Sequence, residues 1–272
     1  MIIITWKMLL LIILIQQIAC FSVTGYFGLF DEAYVDTMNT GGVPWSMFDR
    51  LILSFVDLTP NGFLNVTKLK IDRINNVTKW YKKSKPDGQV FLSLYDEREE
   101  RFVIDAKHAV TFKNNVKKWV TSLNLNGIDV DWETASINVN SDVLVTVLKA
   151  CWPAKVTHAV WPYVTSATTV GLLSHIVDNI NIMSYDMRID QIESLVLDYH
   201  QHGFPFDKMV LGIETESGND NLQSMDGKIK LIQKYNLSGL FVWRVDNDAI
   251  QNHQPQWTTI NLLKSLLHKY QL

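Results

Sequence analysis

Eight short apolar runs recur along the chain, each followed by a longer polar stretch, and this rhythm constrains the fold more than any other feature. The runs cover residues 22–27, 51–56, 90–94, 127–132, 155–161, 179–183, 209–213 and 239–243. Each is apolar nearly throughout and rich in β-branched or aromatic residues, as a strand covered on both faces must be. Between them, residues 66–82 set Leu69, Ile71, Ile74, Val77 and Trp80 near helical spacing, with Lys and Asp on the other side. Residues 109–123 do the same with Val110, Phe112, Val116, Val120 and Leu123, and residues 229–235 and 258–272 continue the pattern. Strand alternating with helix predicts an α/β chain with a parallel sheet. Eight such units predict a (β/α)8 TIM barrel rather than an open sheet. A doubly wound sheet built for a dinucleotide would carry G-x-G-x-x-G after its first strand, and Gly25-Tyr26-Phe27-Gly28 does not fit.

Residues 1–20 differ in kind from the rest. They are almost wholly apolar, carry Lys7 and no acid, and hold an unbroken apolar run over residues 8–15. That run falls short of the roughly 20 residues a bilayer span requires. With the small pair Ala19-Cys20 after it, the segment reads as a secretory signal peptide. Its removal is expected to leave residues 21–272 as a single domain, close to the ~250 residues typical of a (β/α)8 barrel. No linker or low-complexity tract divides that domain. The formal charge would move from −3 to −4 with the loss of Lys7, which argues against nucleic acid or an anionic membrane as a partner. Cys151 would remain as the lone thiol. The sequons at Asn65, Asn76 and Asn236 are compatible with a secreted glycoprotein.

A barrel gathers its functional groups at the C-terminal ends of its strands. Those ends here carry Asp129, Asp131 and Glu133, then Tyr185 and Asp186, then Glu214 and Glu216, and finally Trp243. In an extended strand alternate side chains share a face, so Asp129, Asp131 and Glu133 form a ladder with successive α-carbons ~6–7 Å apart. Three carboxylates this close cannot all ionise cheaply, and at least one proton should stay in the stack. A carboxyl kept protonated near neutral pH is what a general acid requires. A solvated acidic edge or a Mg²⁺ or Ca²⁺ site are the competing readings. Ile128, Val130 and Trp132 between the acids argue against the edge; with no second acid cluster apparent, no metal is expected.

The segment Asn126-Gly127-Ile128-Asp129-Val130-Asp131-Trp132-Glu133 resembles the D-G-x-D-x-D-x-E signature of the family 18 glycoside hydrolases, with Asn126 in place of the outermost Asp. Met183-Ser184-Tyr185-Asp186 resembles that family's M-x-Y-D, residues 239–243 its eighth strand with a floor Trp, and Tyr26-Phe27 the aromatic end of its first strand. The resemblance implies a chitinase-like TIM barrel that works by retention without a cofactor, the substrate's acetamido oxygen replacing a protein nucleophile. It implies Glu133 as the acid, Asp131 as the acetamido partner, Asp129 as its buried neighbour and Tyr185 as a donor to the acetamido oxygen. Asp186 would help fix that group, and Trp243 would floor the sugar site. Tyr26 and Met183 would complete its walls, and the partner would be an oligo- or polysaccharide containing N-acetylglucosamine.

Departures from the pattern set further expectations. Ser93-Leu94-Tyr95-Asp96 stands where the family commonly has S-x-G-G, so Tyr95 and Asp96 should reshape the cleft. Glu214 and Glu216 are either polar sugar contacts or solvated rim. The interval from Ile213 to Gly239 is too short for the α+β insertion of processive relatives, which predicts a short, open cleft on a monomer. Action on N-glycans, as by an endo-β-N-acetylglucosaminidase or a lysosomal chitobiase, and a non-catalytic lectin remain the alternatives to a chitinase.

Overall fold

The computed structural model describes residues 21–29, 42–59, 61–95, 102–103, 107–216, 218–251 and 254–272. The expected leader over residues 1–20, and Asp96, lie outside these residues. Eight parallel strands close into a barrel: β1 (Ser22–Gly28), β2 (Arg50–Leu58), β4 (Gln89–Tyr95), β5 (Gly127–Asp131), β6 (Lys155–Val160), β7 (Asn179–Ile182), β8 (Met209–Glu214) and β9 (Gly239–Trp243). Each pairs with the next, and β1 closes the ring by pairing with both β2 and β9. A two-residue strand, β3 (Leu64–Asn65), adds an antiparallel fringe to the end of β2. The eight apolar runs thus correspond to the eight barrel strands.

Among the described residues, seven helices pack around the barrel: α1 (Lys68–Ser84), α2 (Ala109–Ser122), α3 (Ser141–Ala150), α4 (Ala167–Leu172), α5 (Ile189–Gln201), α6 (Leu222–Tyr235) and α7 (Thr258–Tyr270). Caps set their starts. Thr67 accepts from Lys70 N–H, which moves the start of α1 past residue 66. Asn221 accepts from Gln223 and Ser224 N–H and starts α6 a full two turns before residue 229. The buried faces of α1 and α2 are narrower than the spacing predicts: Ile74, Val77, Phe112 and Val116 are buried, whereas Leu69 and Val110 are exposed.

Two apolar layers follow from strand alternation. The outward side chains form one continuous core against the helices, and five inward ones (Tyr26, Ile52, Phe91, Val210 and Phe241) plug the barrel interior. Below the plug the Arg50 guanidinium lies 4.6 Å from the Phe91 ring centre and donates to Asn179 Oδ1 at 3.2 Å. Above it lies the strand-end mouth.

At the opposite, N-terminal end a repeated clip fixes the strands. Asp49 accepts from Val23 N–H at 3.0 Å, Asn126 from Val90 N–H at 2.8 Å and Asp178 from Val156 N–H at 2.7 Å. Each side chain precedes one strand and bonds the start of a neighbour. Asn126, which departs from the signature, therefore does structural work for which an amide oxygen serves as well as a carboxylate. Asn126→Ala is expected to lower unfolding free energy by about 1–2 kcal/mol, and Asn126→Asp by well under ~1 kcal/mol, in urea denaturation.

His158 sits on the outward face of β6, fully buried. Its Nδ1 lies 2.8 Å from Val130 O, a group that can only accept, so Nδ1 carries the proton and Nε2 is a bare lone pair without a partner. Burial pushes its pKa down to about 4. Below pH ~6.5 the unfolded chain takes up a proton that the folded chain refuses, so this site costs stability progressively until pH ~4. Relative to His158→Asn, the wild-type chain should lose about 3 kcal/mol between pH 7 and pH 4 in paired denaturation curves. A flat difference would contradict the buried neutral imidazole.

Candidate active site

The deepest member of the acid ladder is Asp129, which points into the barrel at 0% exposure. Four donors from four strands meet it. Ser93 Oγ donates to Oδ2 at 2.7 Å and Tyr26 Oη at 3.2 Å, while Thr157 Oγ1 donates to Oδ1 at 2.6 Å and Asn181 Nδ2 at 3.4 Å. Asn181 Nδ2 also donates to Tyr26 Oη at 2.7 Å, turning the phenol hydrogen toward the carboxylate. Burial raises the Asp129 pKa, and the bonds from Thr157, Ser93 and Tyr26, with the Arg50 charge, pull it back.

Asp131 and Glu133 lie higher on the same wall. Asp131 is buried and its carboxyl is hydrogen-bonded to that of Glu133, with Oδ1 otherwise unpartnered. Burial, then the charges of Glu133 and Asp129, push Asp131 well above the usual carboxylate range. Burial also raises Glu133, while its bond from Asp131 draws it back. Burial and the mutual repulsion of the two carboxyls therefore both favour retention of a proton by the pair on this wall of the mouth.

That mouth is a cavity of about 290 Å³. Asp131 and Glu133 form its β5 wall, and Met183 and Tyr185 its β7 wall. Trp243, Tyr26 and Phe241 close it from below and behind, and Glu214 borders it from β8. The aromatic rings support one another edge to face: Tyr26 stands 5.4 Å from Phe241 and 5.6 Å from Trp243, and Tyr185 stands 5.9 Å from Phe241. A Cβ on Gly212 would lie 2.8 Å from Tyr185 Cε1 and 2.7 Å from Phe241 Cζ, so only glycine lets these rings approach β8. Burial, then the charges of Asp131 and Glu133, raise the Tyr185 pKa well above its ordinary value and keep the hydroxyl a donor.

The end of β8 is held from behind by a buried ion pair. Lys228 Nζ donates to Asp220 Oδ1 at 2.6 Å and to Gly212 O at 2.7 Å, and Asp220 Oδ2 accepts from Glu214 N–H at 2.8 Å. Glu216 has turned away from the cavity, accepting from Arg244 Nε at 2.9 Å and Asn247 Nδ2 at 2.7 Å.

Two residues marked by the sequence motifs fall elsewhere. Asp186 is exposed, on left-handed backbone at φ 53°, and does not line the cavity. Tyr95 lies off the lining and stacks on Phe55 at 4.8 Å, and Phe55 stacks on Trp243 at 5.5 Å, so its bulk extends an aromatic wall sideways instead of filling the mouth. Phe55 itself escapes a period-two reading. Strand β2 shifts register between Leu53 and Val56, and the bulge turns a residue inward that strict alternation would send out. Thr157 and Asn181 do carry a signal, as polar residues alternating with apolar ones inside buried strands. Ala159 and Trp161 also line the cavity and have no motif to mark them.

The family model for glycosyl hydrolases family 18 matches residues 23–218. The chain therefore belongs to family 18 of the glycosyl hydrolases. No curated protein sequence matches it. Among solved structures, a class V chitinase from Nicotiana tobaccum is 17% identical, with 90% of this chain and 98% of that one covered and a TM-score of 0.74. A family GH18 chitinase from Cycas revoluta in complex with allosamidin is 15% identical over 84% of this chain and 96% of that one, TM-score 0.69. A chitinase-like agglutinin from Robinia pseudoacacia is 15% identical over 89% and 98%, also with a TM-score of 0.69. These likenesses establish a shared (β/α)8 barrel.

The hydrogen bond from Thr157 favours the ionised form of Asp129, so its removal should raise that pKa further. Thr157→Val is expected to move the Asp129 midpoint up by about one pH unit in a ¹³C-carboxyl NMR titration. An unmoved or lowered midpoint would show that the hydroxyl does not stabilise the charge.

Proposed function

We propose that the chain is a hydrolase cleaving β-1,4 bonds beside N-acetylglucosamine in chitin or chito-oligosaccharides, by a retaining, substrate-assisted reaction. The observation that carries this reading is the hydrogen-bonded Asp131–Glu133 pair on one wall of an aromatic-floored cavity. Two carboxyls on one wall cannot flank a sugar ring from opposite faces, as the two-carboxylate mechanisms require. The substrate's 2-acetamido oxygen supplies the missing nucleophile. Glu133 protonates the glycosidic oxygen and later takes a proton from water. Asp131 holds the acetamido N–H and offsets the charge of the oxazolinium ion as it forms. Tyr185 donates to the acetamido oxygen, and the sugar rests on Trp243 beside Met183. Asp129 lies below Asp131, where its four donors favour the ionised form against the cost of burial.

The experiment is turnover of fluorogenic chitobiose and chitotriose glycosides. Glu133→Gln should cut kcat by at least ~10²-fold, whereas Glu214→Gln should keep kcat within about tenfold, since no covalent bond to Glu214 is required. Equal rates for wild type and Glu133→Gln would overturn the hydrolase. Loss of activity in Glu214→Gln with a trapped glycosyl ester would overturn substrate assistance. A thiazoline mimic of the cyclised acetamido group should inhibit competitively. The agglutinin among the structural neighbours makes binding without turnover the second reading, because stacking alone suffices for a lectin.

We also place the protein in the secretory route, on the apolar leader at residues 1–20. The exposure of all three sequon asparagines, Asn65, Asn76 and Asn236, supports that route.

A further inference from the structure

Lys228 stands on the buried face of α6, between Met225 and Ile229, where helical spacing calls for an apolar residue. It is 1% exposed. An ammonium so deep is costly unless acceptors meet it. Two do, Asp220 Oδ1 at 2.6 Å and Gly212 O at 2.7 Å. Asp220 is buried as well. Its Oδ1 also accepts from Ser224 Oγ at 2.8 Å, and its Oδ2 takes Glu214 N–H at 2.8 Å. The pair thus grips β8 at Gly212 and at Glu214 from the helix side, and the proposed chemistry gives neither member a role.

The end of the β7–β8 ladder shows what that grip controls. The two strands pair no further than Ile182 with Leu211. Past that point the Ser184 hydroxyl stands in for a backbone partner, accepting from Gly212 N–H at 3.0 Å and donating to Gly212 O at 3.1 Å. Gly212 O therefore receives Ser184 from one side and Lys228 from the other. The Tyr185 ring lies against this same residue, since a Cβ on Gly212 would stand 2.8 Å from Tyr185 Cε1. Beside Lys228, Gly227 lets α6 approach the chain that follows Tyr185: a Cβ there would stand 2.6 Å from Ile189 Cδ1. One turn of α6 therefore meets both the residue beneath Tyr185 and the segment leading away from it.

We propose that Lys228 is a positioning residue for the acetamido donor: together with Asp220 it fixes the Gly212 backbone on which the Tyr185 ring rests, and so sets where the Tyr185 hydroxyl points. The inference rests on the reading of Tyr185 as the donor to the acetamido oxygen. A donor helps the reaction only if it is already aimed at the place where charge develops, and a misplacement of an ångström forfeits much of its effect. Without the ammonium, Gly212 O keeps Ser184 alone, and the backbone under the ring is tied to β7 but no longer to the helix layer. The hydroxyl would then stay in the site but lose its aim. Such a fault is felt as the acetamido oxygen attacks, more than in the bound ground state.

A double-mutant cycle with Tyr185 separates positioning from general support of the fold. On a fluorogenic chitobiose glycoside, Lys228→Met should lower kcat roughly tenfold and leave KM within about threefold. In a Tyr185→Phe background, which has no hydroxyl left to aim, the same substitution should cost less than about twofold. Removing one member of a buried pair strands the other, so Lys228→Met is also combined with Asp220→Asn, which retains an oxygen for Glu214 N–H, and should show the same dependence on Tyr185. A second readout needs no turnover: 3-fluorotyrosine placed at residue 185 should give a narrow ¹⁹F resonance that broadens or splits in both Lys228 variants. Equal losses of kcat in the two backgrounds, an unchanged kcat, or an unchanged resonance would overturn the positioning role. A wild type without turnover would bring down the hydrolase reading instead, and the ¹⁹F comparison would still decide whether Lys228 places the ring.

Discussion

A carboxylate sealed inside a β-barrel is tolerable only if the barrel itself solvates it, and Asp129 sets that requirement for this fold. Its two oxygens take hydrogens from Tyr26 on β1, Ser93 on β4, Thr157 on β6 and Asn181 on β7. Half the barrel is therefore committed to one side chain, and a register slip in any of these strands would exchange a donor for an apolar outward neighbour. Ser93 pairs with Asp129, and Asp129 with Thr157, directly across neighbouring strands, so the donors sit in one layer. With Asp129 satisfied, the remaining negative charge has nowhere to go but upward. Burial and mutual repulsion push both Asp131 and Glu133 toward the protonated form, which is the direction the proposed acid requires.

The barrel is legible from the chain because parallel strands buried on both faces leave a rhythm of apolar runs. The ladder is legible because acids at every second position of a buried strand must share one face and one cost of burial. The helices are less so. α3 and α5 carry real buried faces, Leu144, Val147 and Leu148 in one and Ile192, Val196 and Tyr199 in the other, yet their spacing does not stand out among the polar stretches. Spacing alone assigns Leu69 and Val110 to buried faces, but their helices present only a narrow strip to the barrel.

Within the site, the residues on motifs come together as their strands dictate, with Tyr26, Asp131, Glu133, Met183, Tyr185, Glu214 and Trp243 around one cavity. What local pattern cannot supply is direction. Asp186 follows Tyr185 in sequence but leaves the site because the backbone turns left-handed at that residue. Tyr95 reads as an obstruction, yet a ring on a neighbouring strand captures it. That ring, Phe55, points inward only because β2 departs from its own alternation. Such facts belong to pairs of strands and are absent from either one alone.

The apolar plug of Tyr26, Ile52, Phe91, Val210 and Phe241 has a kinetic side. It closes the base of the mouth, so that among the described residues the cavity is approached from the strand-end side. Under the proposed reaction, glycan and water both approach from that side, so space vacated by the departing chain is a path by which water can reach the anomeric carbon. The geometry of the cavity then couples departure of the leaving chain to entry of the water that follows it.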